Sequence, residues 1–182
     1  MSAIVSGEIL FKYSTTAGAA GNSNTSTAAA SLGKYISTTA WAGGSANDLF
    51  DDISGAENAA STVDYRCIFV HNSNASNTLQ NAVVYLSAEV AGGASIAIAT
   101  DNIAASAIGS ASAQAAQIAS ETTVPSGVSA FSSPTTAGTG LSLGNIGTGQ
   151  CKAFWVRRTA ANSAALSSDG VTIAVTGDTG SL

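Results

Sequence analysis

The run Tyr65-Arg66-Cys67-Ile68-Phe69-Val70-His71-Asn72 carries bulky side chains at odd and even positions alike. Successive side chains of a strand point to opposite faces, so such a run needs cover on both sides and is predicted to be a central strand. A second run follows at Thr78-Leu79-Gln80-Asn81-Ala82-Val83-Val84-Tyr85-Leu86, again β-branched and aromatic. Between them Ser73-Asn74-Ala75-Ser76-Asn77 has the composition of a turn.

Further strand-like pieces punctuate the chain. They are Glu8 to Tyr13, Ser95 to Thr100, Gln117 to Val124 ahead of Pro125, Leu141 to Leu143, Cys151 to Thr159 and Val171 to Thr176. Residues 102–114 are alanine-rich, but Gly109 and the serines weaken a helix, and no apolar stripe at helical spacing would hold one down. That region is read as a loop with at most a short helical turn. Short strands separated by turn signals, with no internal repeat, predict an all-β fold: an antiparallel β-sandwich, jelly-roll or immunoglobulin-like. Residues 1–45 are expected to form an extended N-terminal arm with one strand, lying on a partner subunit or along its own sandwich, and residues 46–182 the sandwich domain. With 182 residues, one domain with a real core is the default.

Charge narrows the function classes. Charged residues make up 9% of the chain and the formal net charge is −5, against roughly a quarter charged in ordinary soluble proteins. A nucleic-acid surface needs clustered Lys and Arg, and Arg157-Arg158 is the single basic pair, inside a strand pattern where one side chain is expected to meet a carboxylate across the sheet. No run of eighteen apolar residues occurs, and Met1 to Ser6 lacks the basic start and apolar stretch of an export signal, so neither membrane nor nucleic acid is an expected partner. A polar, nearly uncharged surface suits packing against neighbours, because few long side chains have to be ordered at the contact.

The residues that carry chemistry are few. His71 is the single histidine, and no serine stands in a Gly-x-Ser-x-Gly elbow, so His71 is read as a strand-end or interface residue. Asp48, Asp51, Asp52 and Glu57 form an acidic cluster without the spacing of a calcium loop, read as a solvated turn in which Asp51 or Asp52 caps backbone N–H groups. Gly144, Gly147 and Gly149 precede a strand and not a helix, which fits a turn needing positive φ better than a phosphate loop. Cys67 and Cys151 are read as buried free thiols, a disulfide staying open if their strands face each other within bonding range. Trp41 and Trp155 are core or interface anchors, with Trp41 also a candidate for stacking on a sugar. No catalytic, cofactor-binding or metal residue is assigned, and the chain is expected not to be an enzyme.

The blocks Asp48-Leu49-Phe50-Asp51-Asp52-Ile53-Ser54-Gly55, Asp64 to Asn72, Thr78-Leu79-Gln80-Asn81-Ala82 and Leu143-Gly144-Asn145-Ile146 resemble a family of tailed-bacteriophage virion structural proteins. Lys152 to Thr159 and Gly177-Asp178-Thr179 are similar to it as well. The resemblance implies a β-sandwich capsid decoration, or cement, protein on the outer surface of the phage head. It further implies assembly in the host cytoplasm, the major capsid protein as partner, and a homo-oligomer, by analogy a trimer. A tail, collar or fibre component, or a glycan-binding module displayed on the virion, is the alternative.

Overall fold

A computed structural model describes residues 3–18, 23–164, 166 and 169–179. Two antiparallel sheets pack face to face, as expected for an all-β sandwich. The strands are β1 (Ile9–Thr15), β2 (Tyr35–Ala40), β3 (Val63–Asn72), β4 (Leu79–Glu89), β5 (Ser95–Thr100), β6 (Ser106–Ala107), β7 (Leu141–Ile146), β8 (Gln150–Thr159) and β9 (Val171–Thr179). The larger sheet has the order β2-β1-β3-β8-β5, with β6 beside β5 on the edge of β8, and the smaller has the order β7-β4-β9.

The central pair β3–β8 explains why both faces of each strand are apolar. Its register sets Ile68 opposite Phe154 and Arg66 opposite Val156 on one face, and Cys67 opposite Trp155 and Phe69 opposite Ala153 on the other. The first face, extended by Val70, Ile96 and Ile98, packs on Val84, Leu86, Leu143, Ile146 and Ile173 of the smaller sheet. The second face packs on Ile36, Ala115 and Ile118, with Phe131 and Leu32 at the margin. Most of this second cover comes from residues 101–134, which contain little regular structure. Every residue of β3 after Val63 is consequently buried.

The first 45 residues differ from expectation. Two strands form there, where one was expected, and they pair with each other and, through β1, with β3. Tyr35, Ile36 and Ser37 are buried, so this part of the chain belongs to the sandwich. Short polar side chains tie down the connection. Ser26 Oγ donates to the Ser14 carbonyl at 2.5 Å, Gly33 N–H donates to Ser14 Oγ at 2.9 Å, and Thr38 N–H donates to the Asn24 carbonyl at 2.9 Å. A Ser/Thr/Asn tract looks flexible because its composition lacks apolar anchors, yet each hydroxyl or amide is a potential tether to the backbone.

Two further expectations are corrected. Residues 117–124 do not form a strand: Gln117 makes one isolated bridge to Gly33 and the rest turns. Residues 102–114 contain the two-residue β6 where a helical turn was allowed. A short helix α1 (Gly55–Ala60) was not anticipated, although Ser54-Gly55-Ala56-Glu57 has the S-x-x-E spacing of a capping box. Ser54 Oγ accepts the Glu57 N–H at 3.3 Å, and the Glu57 carboxylate accepts the Ser54 N–H at 2.7 Å.

Candidate interaction surface

The acidic loop is fastened to the end of the central strands by two arginines. Arg158 donates through Nε (3.1 Å) and Nη2 (2.7 Å) to Asp64, which lies directly opposite it in the β3–β8 register. The cross-strand ion pair expected of Arg157-Arg158 is thus made by Arg158. Arg158 also donates to the carbonyl of Asp51 and, at 3.2 Å, to its carboxylate. Arg66 donates to Glu121 and to the Tyr65 carbonyl. The Phe50 ring takes both guanidinium groups, Arg158 at 4.8 Å and Arg66 at 5.4 Å from its centroid. Stacking on an aromatic face suits the flat, weakly hydrated guanidinium and lets it be buried at lower cost than an ammonium.

The four acids of the loop therefore do not act together. Asp51 is spent on Arg158, Asp52 is exposed, Glu57 closes the capping box, and the carbonyl of Asp48 accepts the Tyr13 hydroxyl. The capping expected of Asp51 or Asp52 is done by Ser54. Hydrogen bonds from Ser54 hold the Glu57 carboxyl below its ordinary range. Among the described residues, no group of three or more His, Cys, Asp or Glu is placed to hold a metal ion. A cleft of about 540 Å³ opens beside the loop, bordered by Tyr13, Asn47, Asp51, Arg66 and Glu121. Each of its charged groups already has a partner, Arg66 with Glu121 and Asp51 with Arg158.

The remaining candidates sit apart. His71, the penultimate residue of β3, lies between Leu10 of β1 and Cys151 of β8. Burial, with Lys12 nearby, lowers its pKa, so the imidazole is neutral at pH 7, and its Nδ1 has no hydrogen-bond partner. Burial pushes the Cys151 thiol up to about 12 and raises Cys67 well above its ordinary value, with Asp101 adding to the rise at Cys67. Protonated thiols of this kind are poor nucleophiles. Both cysteines are free, on adjacent strands of one sheet, with Cys67 opposite Trp155 and Cys151 opposite His71. The offset of four residues, about 13 Å along a strand, places them beyond disulfide reach.

Gly149, with φ of 65°, lies in the turn ahead of β8 as the turn reading requires, whereas Gly144, with φ of 72°, lies inside β7 where its pairing with β4 is irregular. Trp41 is half-buried, edge-on to Phe11 at 5.7 Å, with its indole N–H enclosed and unpartnered. The polar turn 73–77 is built from within. Asn74 Oδ1 accepts the N–H groups of Ser76 (2.9 Å) and Asn77 (2.7 Å), and Asn72 Nδ2 donates to the carbonyls of Asn77 and Ile146 at 2.9 Å each.

What faces outward is mostly small and uncharged. Among the described residues the exposed large apolar side chains are Val5, Val90, Ile108, Val124 and Leu166, scattered over different elements. Among the described residues, no helix is long and apolar enough to cross a membrane. No family model, curated protein or solved structure matches this chain.

Proposed function

We propose that the chain is a non-enzymatic structural component of a virus particle, a decoration protein that binds the outer face of an assembled phage head. The observation that carries this reading is where the family-like blocks fall. The 48–55 block is the loop held by Arg158 and by Arg66 stacked on Phe50, and the others are β3, β4, β7, β8 and β9. They are the framework of a rigid sandwich whose exposed side chains are small and polar. The reactive side chains of that framework are internally paired or kept neutral.

A cement protein acts by mass action. It binds the assembled lattice and not free subunits, so its binding free energy adds to shell stability, multiplied over many copies. A standard contact of about 1,600 Å² suffices for specific association. The partners are the major capsid protein and further copies of this chain, as a trimer at positions of local threefold symmetry. Cryo-EM of purified particles tests the assignment. Density for the chain on the head surface is expected, and density confined to the tail would reassign it to a tail, collar or fibre role. Deletion of the protein should lower the heat and osmotic resistance of the particles, and unchanged resistance would remove the cementing role.

A further inference from the structure

Three of the four sheet edges are closed by identifiable devices. On β2, Ile36 N–H donates to Gln114 Oε1 (3.2 Å) and Thr38 N–H to the Asn24 carbonyl (2.9 Å). On β5, Ile96 N–H donates to the Glu89 carboxylate (2.8 Å), Ile98 exchanges hydrogen bonds with Ser132, and Thr100 N–H donates to Ser129 Oγ (2.9 Å). The β7 edge is six residues long and broken by left-handed Gly144, whose N–H turns to Ser142 Oγ (3.2 Å).

Among the described residues, the β9 edge has none of these. It runs nine residues with no proline or lysine, and both irregularities in its pairing insert the extra residue into β4, which leaves β9 continuous. Backbone groups of successive strand residues point to opposite edges. The carbonyl of Gly170 faces β4, where it accepts the Val90 N–H at 2.9 Å, so the N–H and C=O groups of Val171, Ile173, Val175, Gly177 and Thr179 face outward. An open edge of this length is a template for another strand, which natural proteins otherwise guard.

A groove of about 310 Å³ runs along the same edge, apolar at Ile4, Val5, Phe11 and Val175 and polar at Ser6 and Thr179. Val5 there is 58% exposed. The larger sheet has five strands across against three, and the β7 end of the smaller sheet packs over β5 and β8, so β1 and β2 extend past β9. A second whole sandwich brought edge to edge would drive its own overhanging strands into these. A single extended segment meets no such obstacle. Charge sets its composition: Asp178 is the one charged residue on β9, at the end where the N-terminus of an antiparallel partner would lie.

We propose that β9 is a strand-addition site for an extended segment of another protein, apolar at alternate positions, with a basic residue near its N-terminal end. The incoming backbone satisfies the five outward residues of β9, whose groups recur every ~6.8 Å, and its apolar side chains enter the groove. The inference rests on backbone geometry and stands apart from the virion reading.

Residue-resolved amide exchange on the full chain tests it, with a ten-residue peptide alternating Thr and Val and carrying one Lys near its N-terminus as probe. Saturating peptide should slow exchange of the outward amides of Ile173, Val175 and Gly177 by about tenfold or more and leave the β4-directed amides unchanged. Val175→Pro removes one outward N–H and no bond to β4, and should abolish the effect. Should that variant not fold, Asp178→Lys decides: the wild type should prefer the Lys peptide over its Asp counterpart, and the variant should reverse that preference. No protection of the wild type, or an unchanged preference in D178K, would overturn the proposal. So would protection of these same amides without peptide that grows with protein concentration, which would make a second copy the occupant.

Discussion

The two faces of the larger sheet are buried by different means. Toward the smaller sheet the middle of the contact is aliphatic and aromatic, Ile68, Val70, Phe154 and Val156 meeting Val84, Leu86 and Ile146. Toward residues 101–134 the cover is an irregular chain, whose backbone groups have no ladder to satisfy them. Side chains do so instead. The Asp101 carboxylate accepts from Trp155 Nε1 (3.0 Å), Ala116 N–H (2.8 Å) and Ile103 N–H (2.9 Å). Gln114 accepts from Ile36 N–H and donates to the Ala107 carbonyl (3.0 Å) and the Cys151 sulfur (3.2 Å). A sheet-on-sheet face is held by volume and tolerates changes that conserve it. A loop-on-sheet face is held by a few polar hubs, and the loss of one strands several partners together.

The contrast breaks first at Asp101. Asp101→Ala leaves one buried and two part-buried donors without their acceptor, at roughly 1–3 kcal/mol each, so a loss of at least about 3 kcal/mol is expected in urea unfolding, with Asp101→Asn losing clearly less. Equal losses for the two variants would mean the carboxylate is not the hub. On the opposite face, Leu86→Ala should cost about 2–5 kcal/mol, while Leu86→Met, which keeps the volume, should cost less than about 1.5 kcal/mol. A Leu86→Met variant as damaged as Leu86→Ala would remove the tolerance claimed for that face.

Gly33 sharpens the comparison at the seam between β2 and the loop layer. Its φ is 93°, and an added Cβ would stand 1.8 Å from the Ala116 carbonyl oxygen, so Gly33→Ala must displace the loop. A loss of about 1–3 kcal/mol is expected, with faster amide exchange confined to residues near 114–118. A uniform change across the smaller sheet would contradict that localisation.

His71 supplies a smaller, pH-dependent effect. Its folded pKa lies below the ordinary 6.5, so between that lowered value and 6.5 the unfolded chain binds more protons, and stability rises with pH. The contribution is complete above 6.5 and is lost as pH falls through the folded pKa. Melting temperature between about pH 7.5 and 5.5 should fall for the wild type and less for His71→Gln, and parallel curves would exclude His71 as the cause. The thiols give the smallest signal. Cys67 and Cys151 should resist a thiol reagent in the native state and react fully in denaturant, whereas rapid native labelling would show that the loop layer opens.

Much of the framework was legible because period and bulk are local properties. The doubly apolar run around Phe69 announced a strand covered on both sides, and β4, β5, β8 and β9 stood out in the same way. The pairing of Arg158 with a carboxylate was also readable from strand context. Other features were not. By composition the first 45 residues read as an arm with one strand, because Ser26, Asn24 and Ser14 look like linker residues until their partners are placed. The expected strand at 117–124 gives way because its backbone is engaged singly, Gln117 by Gly33, Ile118 by Leu32 and Glu121 by Tyr65, and not by a neighbouring ladder. Helix α1 carries a local mark in the sequence, the capping box of Ser54 and Glu57. The candidate interaction edge had no sequence mark, since β9 resembles any half-buried strand.

Alternation and side-chain bulk along the chain were enough to specify a two-sheet β architecture, its central strand and an uncharged exterior, because those features follow from one residue and its near neighbours. Which edges close, where Asp101 and Gln114 find their partners, and that β9 is left open depend on contacts between residues tens of positions apart. Hydrogen bonds are satisfied by position in space, so that part of the molecule emerges when the sheets are stacked and the loop is laid across them.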